Sequence, residues 1–288
     1  MIRKLELDEA AHDVLIEHCR TCSIEFLSTP FDEESVDLLA GKLGLPRLKI
    51  PSGEITNGPL LLKIAQTGKP VILSTGMSTL GEIEDALGVL AFAYLGFNIP
   101  SIEAFRAAYC CAEGQAILQD KVTLLHCTTE YPAPVEDVNL KVMDTLNSAF
   151  GLPIGYSDHT DGIAVPIAAV ARGAVTIEKH FTLDKRLPGP DHRASLEPGE
   201  LTQMVAAIRL VEKAVGCGRK FPSQCEKKNI SVARKSLVAA CSIKQGEQFT
   251  AHNLTTKRPG NGLSPIQYWD LLSRRACRNF DPDELVCL

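Results

Sequence analysis

The chain of 288 residues has no hydrophobic run long enough to cross a bilayer: its longest apolar stretch, residues 87–99, is broken by Gly88 and Gly96. It has no basic excess either. Thirty Lys and Arg stand against 35 Asp and Glu, a net charge of −5, so no positive field exists to hold nucleic acid or an anionic membrane. The basic opening, Arg3 and Lys4, runs into an acidic amphipathic pattern rather than a signal-peptide core, and the chain reads as cytosolic (cytoplasmic). The couples Cys19/Cys22 and Cys110/Cys111 lack a second couple at metal-site spacing. A chain of this length needs no disulfide staples, so its ten cysteines read as reduced thiols. No GxGxxG follows a first strand, which removes the signature of a dinucleotide fold.

What is present is the composition of an ordinary soluble globule, enough for one large domain or one medium and one small, with helical and strand patterns in alternation. Helical spacing over residues 7–19 precedes an apolar run at 24–30. The same pairing recurs as 33–43 with 47–53, 59–67 with 70–76, a helix from Thr79 with 122–129, 139–150 with 152–160, and 163–172 with 174–182. A last helix at 198–215 is closed by Gly216 and Gly218. Residues 96–120 form an insertion, read as extra helix on the outside. Six continuous apolar runs are expected to be six parallel strands covered on both faces, in a doubly wound sheet or a barrel.

The polar residues choose between these. Ser28/Thr29, Lys49/Ser52/Glu54, Ser74/Thr75, His126/Thr128/Thr129, Ser157/Asp158/His159 and Glu178/His180 all fall where a strand runs out. Chemistry gathered at the C-terminal ends of successive strands marks a TIM-type (β/α)8 barrel, here two strands short. Residues 1–219 form this partial barrel. Residues 220–232 are polar without apolar periodicity and read as a linker, and 233–288 as a small, mostly β domain.

Two strand-end imidazoles, His159 and His180, sit on neighbouring strands. Either they share a divalent metal such as Mn, Zn, Co or Fe, with Glu54 and Asp191 available to complete the shell, or they are hydrogen-bonded rim histidines. Lys49 among the hydroxyls of Ser52, Ser74, Thr75 and Ser157 suits a phosphate or carboxylate cradle; the alternative is a snorkelling surface lysine. Glu54 suits a general acid/base or a holder of a metal-bound water. Asp191 is the best-placed carboxylate of a long turn-rich loop at 186–198.

The blocks KIPSGEITN, ILSTGMSTLGEIEDAL, HCTTEYPAP, GYSDHT, IEKHFTLDKRLPGPDHRASLEP and, in the tail, KRPGNG resemble the N-acetylneuraminate (sialic acid) synthase family, collinearly from about Phe26 to the C-terminus. The resemblance implies condensation of phosphoenolpyruvate with an N-acetylated hexosamine such as N-acetylmannosamine, giving a nonulosonic acid and phosphate. It also implies a divalent metal, Mn or Mg, on His159 and His180. Phosphoenolpyruvate-binding positions fall on Thr29, Lys49, Ser52, Ser74, Thr129 and Ser157, and sugar-side positions on Glu54, Tyr131 and Asp191. The tail resembles the antifreeze-like (SAF) domain of these synthases, in which the arginine matched by Arg258 reaches the sugar's N-acetyl group across a domain-swapped homodimer. The family's barrel begins with two strands that have no counterpart here, so a truncated chain is expected. Alternatives are a legionaminic or other nonulosonic acid synthase, and an inactive fragment serving as an oligomerisation or sugar-binding module.

Overall fold

The computed structural model describes residues 7–288, and the basic opening at Arg3 and Lys4 lies outside them. The chain divides into two compact units, Met1–Gly216 and Cys217–Leu288.

In the first unit the order is α1 (Glu9–Thr21), α2 (Glu33–Val36), β1 (Leu48–Ile50), α3 (Gly58–Gln66), β2 (Val71–Ser74), α4 (Leu80–Tyr94), α5 (Ile102–Cys110), α6 (Ala112–Lys121), β3 (Val122–Cys127), α7 (Val142–Phe150), β4 (Ile154–Asp158), α8 (Ala164–Ala171), β5 (Ile177–Lys179) and α9 (Pro198–Val215). Helix starts follow local chemistry. The Asp8 carboxylate accepts from Ala11 N at 2.8 Å to open α1, and Thr79 with Glu82 forms a reciprocal capping box on α4. Gly151 closes α7 at φ 64°, a left-handed turn that costs glycine little.

The five strands pair in sequence order, all parallel, and curl as half of a TIM-type barrel. Alternation splits each strand between two environments. Leu48, Ile50, Val71, Leu73, Leu124, Ile154 and Tyr156 are buried in the core cluster that also takes in residues of α3, α4 and α7. Between them on the opposite face come Lys49, Cys127, Ser157 and Glu178; the register sets Cys127 beside Ser157 and Ser157 beside Glu178 in one row.

A sixth strand is expected at residues 24–30, and it does not form: the segment is irregular and joins no ladder. Phe26 packs against the core. Ile24 is 63% exposed, and Glu25 pairs with Arg47 at 2.7 Å, so side chains rather than a strand pairing tie the segment down. The insertion at 96–120 is two helices, α5 and α6, both packed on α4.

The second unit contains α10 (Gln224–Ala233), β6 (Ser236–Ala239), β7 (Leu254–Lys257) and α11 (Tyr268–Leu271). The stretch read as a linker is thus mostly helical. Ser223 and Glu226 cap it reciprocally, a signal that apolar periodicity does not carry. The expected β character is reduced to one antiparallel pair, β6 with β7, plus isolated bridges such as Ile243 with Phe280. These close over a core of Leu237, Phe249, Leu254, Leu271, Phe280 and Val286.

Candidate active site

Where the strands end, Lys49, Pro51, Ser52, Gly53, Ser74, Cys127, Thr129, Tyr131, Ser157, His159, Glu178 and His180 line one cavity of about 180 Å³. It lies at the C-terminal ends of β1 to β5, the rim on which barrel folds build their sites.

Lys49 projects from the middle of β1 and is 9% exposed. Its ammonium donates to Ser74 Oγ at 2.7 Å and to the Ile50 carbonyl at 3.2 Å, and Glu178 Oε2 lies 3.6 Å away. Burial pushes the Lys49 ammonium below its ordinary value, and the Glu178 carboxylate works against that shift. Glu178 Oε1 in turn accepts from Ser157 Oγ at 2.7 Å. Ser52 Oγ accepts from Gly76 N at 2.9 Å and lies 3.1 Å from Cys127 Sγ. Gly76 makes this possible: a Cβ there would stand 2.4 Å from Thr129 Oγ1, 2.8 Å from Cys127 Sγ and 2.9 Å from Ser52 Oγ.

On the other side of the cavity the His159 and His180 rings face each other edge-on, centroids 5.5 Å apart. Tyr131 packs its ring 4.2 Å from His159 and 5.3 Å from His180. His159 Nδ1 donates to the Thr128 carbonyl at 2.7 Å, which leaves Nε2 as the lone-pair nitrogen. Burial pushes its pKa down, the Thr128 carbonyl opposes this, and His180 adds to it. The ring is therefore a neutral imidazole near pH 7, the form that binds a metal. Two imidazoles are donors of the kind a divalent ion takes, and among the described residues no third His, Cys, Asp or Glu joins the pair in a metal-type cluster.

Of the residues singled out from the sequence, Lys49, Ser52, Ser74, Thr129, Tyr131, Ser157, His159 and His180 meet in this cavity. Thr29, Glu54 and Asp191 do not line it. Thr29 sits on the segment that forms no strand. Glu54 Oε2 is engaged by Asn57 Nδ2 at 2.7 Å in the turn after β1. Asp191 lies on the loop after β5, close enough for its charge to help hold the Tyr131 phenol above its ordinary pKa, though burial is the larger cause. Arg258 belongs to the second unit, where its Nε donates to the Ala233 carbonyl at 2.9 Å. The sequence places Glu178 at a strand end without giving it a role, and does not single out Cys127. Period-two alternation reveals both: each stands two positions before a site residue, His180 and Thr129, on the same face of its strand.

Fold and cavity together define an α/β protein of the TIM-barrel class, with a cation-and-hydroxyl cradle opposite an imidazole pair. The chain belongs to the NeuB family, which it matches over residues 1–220, with a SAF domain over residues 234–286. It is 54% identical to N,N'-diacetyllegionaminic acid synthase of Campylobacter jejuni over 99% of this chain and 79% of that protein. It is 43% identical to the Legionella pneumophila protein of the same name, over 97% and 72%. A crystal structure of N-acetylneuraminic acid (sialic acid) synthetase from Leptospira borgpetersenii, in complex with citrate, superposes with a TM-score of 0.65 at 35% identity, covering 78% of this chain and 70% of that one. Its relatives are thus nonulosonic acid synthases. Among the described residues no helix is long and apolar enough to cross a membrane.

Proposed function

We propose that the chain condenses phosphoenolpyruvate with an N-acetylated hexose to form a nonulosonic acid and phosphate, and that the preferred acceptor carries two acetamido groups, as in legionaminic acid. The observation that supports this best is the pairing of the Lys49 cradle with the two imidazoles across one small cavity. The identities of 54% and 43% to N,N'-diacetyllegionaminic acid synthases favour that acceptor over N-acetylmannosamine.

In this reading the Lys49 ammonium and the hydroxyls of Ser52, Ser74 and Thr129 hold the anionic groups of phosphoenolpyruvate, while the Ser157 hydroxyl donates to Glu178. His159 Nε2 and His180 would hold a divalent metal, Mn or Mg, which would supply Lewis acidity toward the acceptor's aldehyde. Tyr131, tilted against the His159 ring and edge-on to His180, limits their rotation and walls the acceptor side. The new bond joins C3 of phosphoenolpyruvate to the aldehyde carbon of the open-chain sugar. Water adds at C2, and phosphate leaves by C–O cleavage. Glu178, the carboxylate of the cavity, replaces Glu54 as the group that orients this water and takes its proton. Its hydrogen bond from Ser157 and its ion pair with Lys49 hold it in place. Asp191 and, across a domain-swapped homodimer, Arg258 of the partner subunit act on the sugar.

The test is phosphate release with phosphoenolpyruvate and Mn, comparing a 2,4-diacetamido hexose with N-acetylmannosamine and with no sugar, each with and without chelator. Chelator-sensitive release that is fastest with the diacetamido sugar is expected. Faster release with N-acetylmannosamine would overturn the acceptor assignment. Absence of sugar-dependent release from folded protein would favour the non-catalytic reading.

A further inference from the structure

The two histidines stand at the ends of neighbouring strands, and each is preceded by a residue of opposite charge: Asp158 before His159, Lys179 before His180. Alternation turns these preceding side chains away from the cavity, to the outer face of the sheet. There they meet. Asp158 and Lys179 are register partners, the last pair of the β4–β5 ladder. Their side chains are 0% and 3% exposed, and Lys179 Nζ lies 2.6 Å from Asp158 Oδ2.

The pair does more than bridge two strands. Lys179 Nζ also donates to the Thr160 carbonyl. Asp158 Oδ1 accepts from Thr160 N at 2.9 Å and from Thr160 Oγ1 at 2.8 Å. The backbone is therefore pinned on both sides of His159, whose own carbonyl accepts from Ala133 N at 2.8 Å and whose Nδ1 is held by Thr128. On β5, the His180 carbonyl accepts from Leu196 N at 2.8 Å, and Phe181 bridges to Leu196. Lys179 ties these two pinned termini to each other on the outer face, as the Ser157–Glu178 hydrogen bond does between the same strands on the cavity face.

We infer that the buried Asp158–Lys179–Thr160 cluster is a positioning clamp that sets the separation and facing of the His159 and His180 imidazoles. Ion pairs buried this completely are poor value as plain stabilisers, since apolar residues of the same size often do as well. Their distinctive contribution is a fixed geometry, which a two-imidazole site needs more than most. With only two protein ligands, a small rotation of either strand end takes both nitrogens off one ion. The inference rests on the metal reading proposed above for its functional meaning, while its structural content concerns the imidazoles alone.

The test uses the full chain and four variants: Lys179→Met, the double variant Asp158→Asn/Lys179→Met, Leu118→Ala as a core control on α6, and His159→Ala as a check on the metal reading. Mn(II) affinity is read by electron paramagnetic resonance, stability by thermal melting, and imidazole geometry by long-range 1H–15N spectra of metal-free protein. Lys179→Met is expected to lose stability and to weaken Mn binding about 10–100-fold, with doubled or broadened His159 and His180 signals. The double variant removes the unpaired buried charge and regains stability, yet Mn binding stays weak because the outer tie between the strands is gone. Leu118→Ala loses stability with unchanged Mn affinity. Recovery of Mn affinity in step with stability in the double variant would overturn the clamp. Should His159→Ala bind Mn like the wild type, the metal reading itself fails. The imidazole spectra of Lys179→Met then decide alone: unchanged signals refute the clamp, and doubled ones uphold it.

Discussion

Lys49→Met separates a residue kept for chemistry from one kept for stability. The ammonium is almost wholly out of water, and its salt-bridge partner among the described residues, Glu178, has a side chain 43% exposed and 3.6 Å away. A partner so well solvated repays little of the cost of burying Lys49, and burial is indeed the larger influence on its pKa. Methionine fills the same channel along β1 without that cost, and Glu178 stays in contact with water. Replacing a whole buried ion pair by apolar groups gains about 1–4 kcal/mol. Here the ammonium alone is replaced, Glu178 is solvated and Ser74 loses its donor, so the low end of about 1 kcal/mol is expected, a rise in melting temperature of about 2–4 °C for a unit of this size. The gain depends on pH. Because the folded-state pKa lies below the ordinary 10.5, the penalty is complete below the folded value and fades as pH rises toward the unfolded one. The variant's advantage should therefore be largest at the low-pH end and shrink as pH rises toward 10.5. Turnover should fall about 100- to 1,000-fold, the cost of removing a donor from a developing anion. Differential scanning fluorimetry from pH 6 to 10, with phosphate release at each pH, measures both. A lower melting temperature with turnover intact would refute the reasoning, since it would make Lys49 structural.

His159→Ala and His180→Ala should each weaken Mn binding by more than about 100-fold, the upper end of what even supporting residues of a metal site cost; titration calorimetry on folded protein reads this. Gly76→Ala should cost about 1–3 kcal/mol, because Thr129, Cys127 and Ser52 all stand within 3 Å of the new Cβ. It should also raise the KM for phosphoenolpyruvate more than that for the sugar, as the displaced hydroxyls belong to the cradle. Arg258→Ala should raise the KM for the sugar about tenfold, a charged hydrogen bond's worth, and leave that for phosphoenolpyruvate unchanged. Mixing Arg258→Ala chains with His159→Ala chains should restore activity to a fraction of mixed dimers if the arginine acts across subunits; no recovery after confirmed exchange would put it on its own chain's site.

The parts of this site that are legible in the sequence are those set by short-range rules. His159 and His180 announce themselves because an apolar run followed by a histidine, twice about twenty residues apart, has a direct reading as neighbouring strand ends. Lys49 is legible because a cation inside LKI conflicts with the apolar strand around it. Residues 24–30 mislead for the opposite reason. An apolar run predicts burial, but a strand also needs a neighbour offering ladder hydrogen bonds, and β1 pairs only with β2 among the described residues. Ser223 and Glu226 show a milder failure, since a capping box starts α10 where apolar periodicity is silent.

Glu54 and Glu178 carry the most useful contrast. Glu54 follows KIPSG, so its place in the chain makes it look like site chemistry, yet the chain has already turned and its carboxylate is taken by Asn57. Glu178 stands at a strand end beside His180, but nothing in its local sequence gives it a role. Parity decides between them. Counting back by twos from His180 lands on Glu178, and register then puts it beside Ser157 on the cavity side. The odd positions of the same two strands, Asp158 and Lys179, fall on the outer face and pair there. One alternation thus separates the chemistry of GYSDHT and EKHFT into an inner row that touches substrate in the proposed reaction and an outer row that holds it still. A one-residue slip of β5 against β4 would exchange the two rows, placing Lys179 in the cavity and Glu178 against the core. The buried Asp158–Lys179 pair disfavours that slip, because in the shifted register Asp158 would face Glu178 or a strand end without its cation.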